Sequence, residues 1–451
     1  MQHNPGNDAA VAAGRDARKG APRGRLSDWD PAGRTRSALE VLFSQHAERD
    51  ADLLPIRYGR MSSSPWTYLR GAAAVMADDL ALYPNTGLNV QLCGDAHVLN
   101  YGLWASPERN LTFDLRDFDE TLPGPFEWDV KRLATSLMVC ADENGLPAQV
   151  GEAAVDAAVD AYRAHMRAYA AMSELDVWYD RIDAAAPLES LDPRARREVT
   201  AEIEKQATRR TSAGAFRKMT EVRDGRRRIT EDPPFRVHLD RPEDEHEAEI
   251  ARQVIDSYSE TVPEQLNRLL GRFALTDVVR QVVGVGSVGM RVYLVLAEGR
   301  SGEAPLFLQI KQAGASVYEP HLAPSTHPNH GQRVVVGQHL MQSAPDLFAG
   351  WTRLEGADYY VRQFRDMKII PDGQQIAPYL TQFADSCGHA LAKAHARSGD
   401  PVAIAAYIGK GTAFGAAVRT FARAYADQTR HDHADLVAAI DRGDVDTARG
   451  W

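Results

Sequence analysis

Residues 94–119 read GDAHVLNYGLWASPERNLTFDLRDFD. The stretch opens on Gly94, Asp95 and His97, sets Asn100 five residues after Asp95, and ends among Asp114, Asp117 and Asp119. The apolar run 88–93 in front of it predicts a short buried strand, and 111–115 predicts another. An acid followed five residues on by Asn, in a loop after a buried strand, is what phosphoryl transfer needs. The acid takes or orients the acceptor's proton, and the carboxamide holds a divalent cation. A carboxylate behind the second strand suits Mg²⁺ bridging phosphates. Three acids within six residues repel one another unless a cation or hydrogen bonds offset the repulsion. The plainer reading is that Asp95 and Asn100 cap turns and the later acids face water, since loops use both residue types readily. Two such motifs in order, each behind a strand, favour chemistry.

Outward from this stretch the chain first reads as helices. Residues 36–54 predict an amphipathic helix, and Pro65 opens a second one through Leu82. Asp129 begins a helix running to about Cys140, where its carboxylate suits an N-cap or a brace for the preceding loop. Residues 151–205 are mostly helical in pattern. From Thr276 the period becomes alternating. Residues 278–285, 290–296, 306–311 and 358–364 predict strands, with helices over 331–342, 378–397 and 413–440. Between the first two of these strands stands Val283-Gly284-Val285-Gly286-Ser287-Val288-Gly289. Glycines there let backbone N–H groups approach phosphates. Lys311 closes an otherwise apolar strand about twenty residues later, where it suits phosphate oxygens. The alternatives are an ordinary hairpin and a lysine snorkelling from a strand edge.

The bulk numbers narrow the field. A chain of 451 residues, 44% of them hydrophobic, can build two or three packed units. A formal net charge of −10 disfavours nucleic acid or an anionic membrane as a whole-molecule partner. Three scattered cysteines, Cys93, Cys140 and Cys387, predict neither disulfides nor a thiolate zinc site and fit a reducing cytoplasm. Residues 1–35 read as a disordered tail, and no run of about 18 apolar residues predicts a membrane span. A two-metal phosphoesterase begun by Asp95 and His97 needs further histidine motifs downstream, and they are missing. The G-x-x-x-x-G-K-[ST] loop is missing too. The stretch 205–229 holds Lys205, Arg209, Arg210, Arg217, Lys218, Arg223, Arg226, Arg227 and Arg228 against only Glu221 and Asp224. It is either a solvated insertion or a lid supplying arginine to an anion.

Several long motifs resemble an uncharacterised bacterial domain-of-unknown-function family, number 2252 in its series. They are Arg57-Tyr58-Gly59-Arg60-Met61, Tyr68-Leu69-Arg70-Gly71-Ala72, Cys93-Gly94-Asp95-Ala96-His97 and Asp117-Phe118-Asp119-Glu120-Thr121, with Gln309-Ile310-Lys311, Tyr360-Val361-Arg362-Gln363 and Ala394-His395-Ala396-Arg397-Ser398-Gly399-Asp400 further on. The resemblance runs from about residue 36 to the end and brings no activity with it. More distantly, Gly94-Asp95-x-His97-x-x-Asn100 and Asp117-Phe118-Asp119 are similar to the catalytic and metal loops of aminoglycoside and choline kinases.

That second resemblance implies an α+β, two-lobed protein-kinase-like fold in circularly permuted order, because the glycine loop and lysine follow the catalytic loop. It implies a large helical lobe from 36–200 and 371–451 and a small antiparallel β lobe over 273–370; the basic insertion and acidic helix over 201–272 have no counterpart in it. Asp95 would act as acid/base. Apart from the resemblance, His97 would brace the same loop, and Arg57, Arg60 and Arg70, which precede it, would point toward the site. Asn100, Asp117 and Asp119 would hold Mg²⁺. Gly284, Gly286, Ser287, Gly289 and Lys311 would hold the phosphates of ATP, and Gln363 would lie at the adenine. Cys93 stands where those kinases carry His, and residues 331–342 hold no acid to pair with Lys311, leaving Gln338 or Glu319. The acceptor is a small molecule or a protein side chain. Nucleotidyl transfer and a non-catalytic nucleotide-binding scaffold are the alternatives.

Overall fold

Residues 305–313 alternate apolar side chains between two faces, and the fold is organised around that alternation. The computed structural model describes residues 5–209, 212–223, 225–239, 244–300, 305–364 and 368–448. Its strands are β1 (Asn89–Leu92), β2 (Tyr101–Ala105), β3 (Leu111–Leu115), β4 (Leu122–Pro125), β5 (Thr220–Arg223), β6 (Arg226–Ile229), β7 (Arg236–His238), β8 (Phe273–Gln281), β9 (Val292–Gly299), β10 (Pro305–Ala313), β11 (Gly350–Leu354) and β12 (Ala357–Gln363). An antiparallel six-stranded sheet runs β11-β12-β10-β9-β8-β7. On one face of β10, Leu306, Leu308 and Ile310 pack with Val254 and Tyr258 of the helix Glu245–Tyr258. On the other, Phe307 joins a small core and Gln309 and Lys311 follow in the same direction. A slip of one residue in register would send Lys311 into the apolar layer.

The chain is thus mixed α+β, with small antiparallel sheets beside a helical part. That helical part is built on Phe126–Glu143, Ala148–Tyr169, Leu380–Ser398 and Ala413–Asp441, whose apolar faces share one large core with β1 to β4. β1 pairs with β4, and β2 with β3. Ile369 returns the chain to the helical part by exchanging backbone hydrogen bonds with Leu103 at 2.7 and 2.9 Å.

Several expectations change. The first 35 residues are not a loose tail where described: Pro5–Gly20 is a helix lying on Pro401–Ile408. Arg18 Nε donates to the Tyr407 carbonyl at 2.9 Å and Arg23 Nη1 to that of Ile408 at 2.8 Å. Arginines thereby satisfy the carbonyls that the end of Pro401–Ile408 leaves open. The helix expected over 36–54 is only Ala38–Ser44, and the one expected over 65–82 breaks at Ala72. The first strand of the sheet ends at Gln281, leaving 282–291 as a loop.

The basic stretch is no detached insertion. Ala215, Met219 and Ile229 pack on Val279, Leu294 and Phe307, and β7 extends the sheet beyond the expected boundary at 273. Asp277 gathers this region, accepting from the Ile229 N–H at 2.6 Å and lying 3.0 Å from His238 Nε2. Arg210 and Asp224 lie outside the described residues. Among the described residues no single helix is long and apolar enough to cross a membrane. Pro401–Ile408 with Ala413–Asp441 passes that test only as a pair bent by 84°.

Asp114, on β3, lies apart from the acids that follow it. Its carboxylate is fully buried in an ion pair with the ammonium of Lys393, which also reaches Ser343 Oγ at 3.2 Å. Removing one partner of such a pair strands a buried charge, so Asp114→Ala should cost about 3–5 kcal/mol in urea unfolding. Asp114→Leu combined with Lys393→Met should recover most of that loss. A cost below about 1 kcal/mol for the single variant would show the pair to be dispensable.

Candidate functional site

Two loops carry the acids, and two strand pairs fix both. The register Leu92↔Leu122 joins the start of residues 93–100 to the end of 116–121, and Tyr101↔Leu115 joins their other ends. Thr121 Oγ1 donates to the Leu92 carbonyl at 2.6 Å, and the Arg116 N–H to that of Asn100 at 3.0 Å. Asn100 crosses between them: its Nδ2 donates to the carbonyls of Asp95 at 2.6 Å and Asp117 at 3.4 Å. Gly94 has φ +86°, and a Cβ there would lie 2.3 Å from the Glu120 carbonyl oxygen, so only glycine allows the two loops to touch.

The helix Phe126–Glu143 sets the first loop's orientation. Asp129 accepts from the N–H groups of Cys93 at 2.6 Å and Gly94 at 3.0 Å. His395 Nε2 stands 3.2 Å from the same carboxylate, and its Nδ1 is 2.9 Å from the Tyr162 hydroxyl. The N-cap position belongs to Pro125, so Asp129 is a brace and not a cap. Arg132, three residues further along the same face, donates through Nε to Asp95 Oδ1 at 2.9 Å and through Nη2 to the Leu69 carbonyl at 2.6 Å. Its i+3 spacing from Asp129 was the one mark of it in the sequence.

The glycine loop meets these acids. Lys311 forms an ion pair with Asp119, Ser287 Oγ donates to Asp119 Oδ2 at 3.2 Å, and the Tyr360 hydroxyl donates to Oδ1. Asp117 Oδ1 lies 3.9 Å from Lys311 Nζ and is buried without a hydrogen-bond partner. The loop's carbonyls are gripped from outside: Arg49 Nη1 donates to those of Gly286 and Val288, and Arg60 Nη1 to that of Gly284. Gly284 and Gly289 have φ +61° and +94°. Among the described residues, no acceptor meets the N–H groups from Val283 to Gly289.

One cavity of about 1330 Å³ collects these parts. Asp95, His97, Asp117, Asp119, Ser287 and Lys311 line it, as do Arg70, Gly284, Gly286 and Gln363. Gly289 stands just behind, packed on the Arg49 side chain. Arg217 and Lys218 of the basic stretch reach the same cavity.

Not every residue holds the expected role. Both Asp119 oxygens are occupied, so it is the partner of Lys311 and not an open metal ligand as it stands. The partner comes from this loop because the helix His330–Met341 presents Arg333 instead, donating to the carbonyls of Thr121 at 2.6 Å and Asp119 at 2.8 Å. Glu319 lies 3.9 Å from Arg333, and Gln338 donates to Gln342. Burial pushes the His97 imidazole down to about 3, against the pull of Asp95, and its Nδ1 has no partner. His97 is therefore a neutral wall residue at neutral pH. The Gln363 N–H is committed to Asp346 Oδ2 at 2.7 Å, so it is not open to adenine.

Charge inside the cavity is opposite in sign to that of the chain. Burial opposes ionisation of Asp117, but Lys311, Arg362, Arg116 and Lys368 outweigh it and hold its carboxyl well below the usual range. Burial alone would lower Lys311, yet Asp119, Tyr360 and Asp117 hold it above its ordinary value. Arg362 bridges to Gln309 Oε1 at 2.9 and 3.0 Å. These cations were not marked as a group by the sequence, since they come from three separate parts of the chain, around 116, 311 and 362–368.

The chain belongs to the family described as "Uncharacterized protein conserved in bacteria (DUF2252)", whose model matches residues 49–439. No curated protein and no solved structure matches it.

Glu120, beside Asp119, is pushed up to about 7 by burial, with the Val317 N–H at 2.8 Å acting the other way. Its folded value exceeds the unfolded one near 4.5, so the folded state holds the extra proton between the two. Stability from this group is present below about pH 4.5 and is lost as pH rises toward 7. Glu120→Gln should remove that loss, making the variant more stable than wild type at pH 7.5 by on the order of 2 kcal/mol relative to their difference at pH 5. Parallel pH profiles in thermal melts of the two proteins would rule the titration out.

Proposed function

We propose that this family member is an ATP- and Mg²⁺-dependent phosphotransferase with a two-lobed, kinase-like arrangement in permuted order. The observation that carries the reading is the Lys311–Asp119 contact, which joins the glycine-loop sheet to the acid loops across 192 residues of chain. An ammonium group, a glycine loop and two carboxylates line one cavity with Asp95. The loop from Val283 to Gly289 supports it further. Its carbonyls are held by arginines while its N–H groups stay open, which is the polarity an anion needs.

In this reading the open N–H groups and Lys311 bind the triphosphate. Phosphate oxygens then compete with Asp119 for Lys311, releasing a carboxylate beside Asp117. Asp117, with its unpartnered Oδ1, and the amide oxygen of Asn100 are the residues that would hold Mg²⁺. The described residues contain no group of three His, Cys, Asp or Glu arranged for a metal, which fits an ion held by one or two carboxylates together with phosphates and water. Its contribution would be to neutralise charge on the transferring group. Asp95, fixed by Arg132, takes the proton of the acceptor hydroxyl. The hydroxyl oxygen forms the new bond to the γ-phosphorus. The bond from that phosphorus to the bridging oxygen breaks, and ADP leaves with the electron pair.

Thermal melting with and without ATP and Mg²⁺ tests the binding step. At 100 times the dissociation constant the ligand should stabilise the chain by about 2.7 kcal/mol, and Lys311→Met and Asp117→Asn should each abolish most of it. Absence of a shift at millimolar ATP would refute the reading. With binding established, Asp95→Asn should lower turnover by about 10²–10⁴. Equal background rates in wild type and variant identify a non-catalytic scaffold, and AMP attached to the acceptor identifies nucleotidyl transfer.

A further inference from the structure

The cavity of about 1330 Å³ exceeds the roughly 300–1,000 Å³ of a single-ligand site, so it has room for a second small molecule beside the nucleotide. Arg57 and Arg70 line the same cavity. Arg57 is completely buried, and only its Nη2 is used, donating to Gln45 Oε1 at 2.7 Å and the Gly71 carbonyl at 3.2 Å. Its Nε and Nη1 meet no acceptor, nor does Arg70 Nε. Neither guanidinium has a carboxylate within ion-pair distance among the described residues, Glu120 acting on Arg57 and Asp95 on Arg70 only from further off, and leaving a buried charge unpaired is costly. Burial first, then Arg49 beside it, pushes Arg57 down to about 9.

The position of the two arginines is fixed relative to the chemistry. Arg132 ties the Leu69 carbonyl to Asp95, and Arg57 ties that of Gly71. Arg70 is therefore held between two anchored carbonyls. A Cβ on Gly286 would come within 3.7 Å of the Arg70 carbonyl, so the tip of the glycine loop lies against the same residue. An anion here sits between the acid that takes the proton and the loop that holds the phosphates.

We infer that Arg57 and Arg70 bind the acceptor's own anionic group, so that the acceptor is a small hydroxylated molecule carrying a phosphate or a carboxylate. The inference rests on the phosphotransferase reading of this cavity and adds the substrate class. A small molecule is favoured over a protein side chain because the cavity has room for one beside the nucleotide. Guanidinium groups suit both anions through paired N–H donors.

The test follows melting of the full chain with a non-hydrolysable ATP analogue and Mg²⁺ at saturation, adding glycerol 3-phosphate, glycerate or glycerol to about 10 mM. At least one of the anions should raise the melting temperature and glycerol should not; the stronger of the two identifies phosphate or carboxylate. Arg70→Gln should weaken the anion at least about tenfold, and Arg70→Lys should restore part of the loss. Arg70 is the residue to change because Arg57 also holds Gly71 in place. Equal shifts from glycerol and the anions, or unchanged anion affinity in Arg70→Gln, overturn the inference. A nucleotide analogue that gives no shift overturns the phosphotransferase reading instead. The anion titration, repeated in Lys311→Met without nucleotide, then still decides the arginine site.

Discussion

The ion pair between Lys311 and Asp119 is the contact on which the rest of the molecule turns. The ammonium is buried, while the carboxylate keeps 31% of its side-chain surface exposed. A pair with one buried partner repays its desolvation only when geometry and extra hydrogen bonds are good. Here Ser287 and Tyr360 supply those bonds, and Asp117 adds a second negative charge 3.9 Å from the ammonium. The pair also settles the placement of two halves of the chain. It fastens the sheet face bearing Gln309 and Lys311 to the loop between β3 and β4, and Arg333 repeats the attachment through backbone carbonyls. A single salt bridge at a surface would fix nothing of the kind.

Behind that contact, the helix Phe126–Glu143 acts as a rigid rule for the loop over residues 93–100. Its buried face carries Asp129 and Arg132 one turn apart, and the two read different parts of the same loop, one its N–H groups and the other its carboxylate. His395 and Tyr162 tie Asp129 to two further helices. The acid at Asp95 is thus positioned by the large core, while the glycine loop and Lys311 are positioned by the sheet. A cavity formed where two such bodies meet is the usual place for a ligand.

The cavity concentrates cations in a chain of net charge −10. Arg57, Arg70, Arg116 and Arg362 stand there without ion-pair partners among the described residues, and burial or mutual repulsion bears on each. A fold optimised for stability alone would pair or remove them. Keeping them is consistent with a binding site that is strained until anions arrive.

By itself the sequence determined the local parts. The runs before Gly94 and Asp117, the glycine loop and the alternation ending at Lys311 are set by neighbouring residues, so period and composition reveal them. The α+β class follows from the same signals. The sequence could not show that Asp114 serves Lys393 while Asp119 serves Lys311, because three acids within six residues look alike until strand register turns each to its own side. Nor could it show the N-terminal helix, whose docking depends on small side chains and arginines meeting carbonyls almost four hundred residues away. Arg132, Arg333 and the unpaired arginines belong to the same class. Which cation faces which anion is a matter of distance in space, and only the tertiary structure sets that distance.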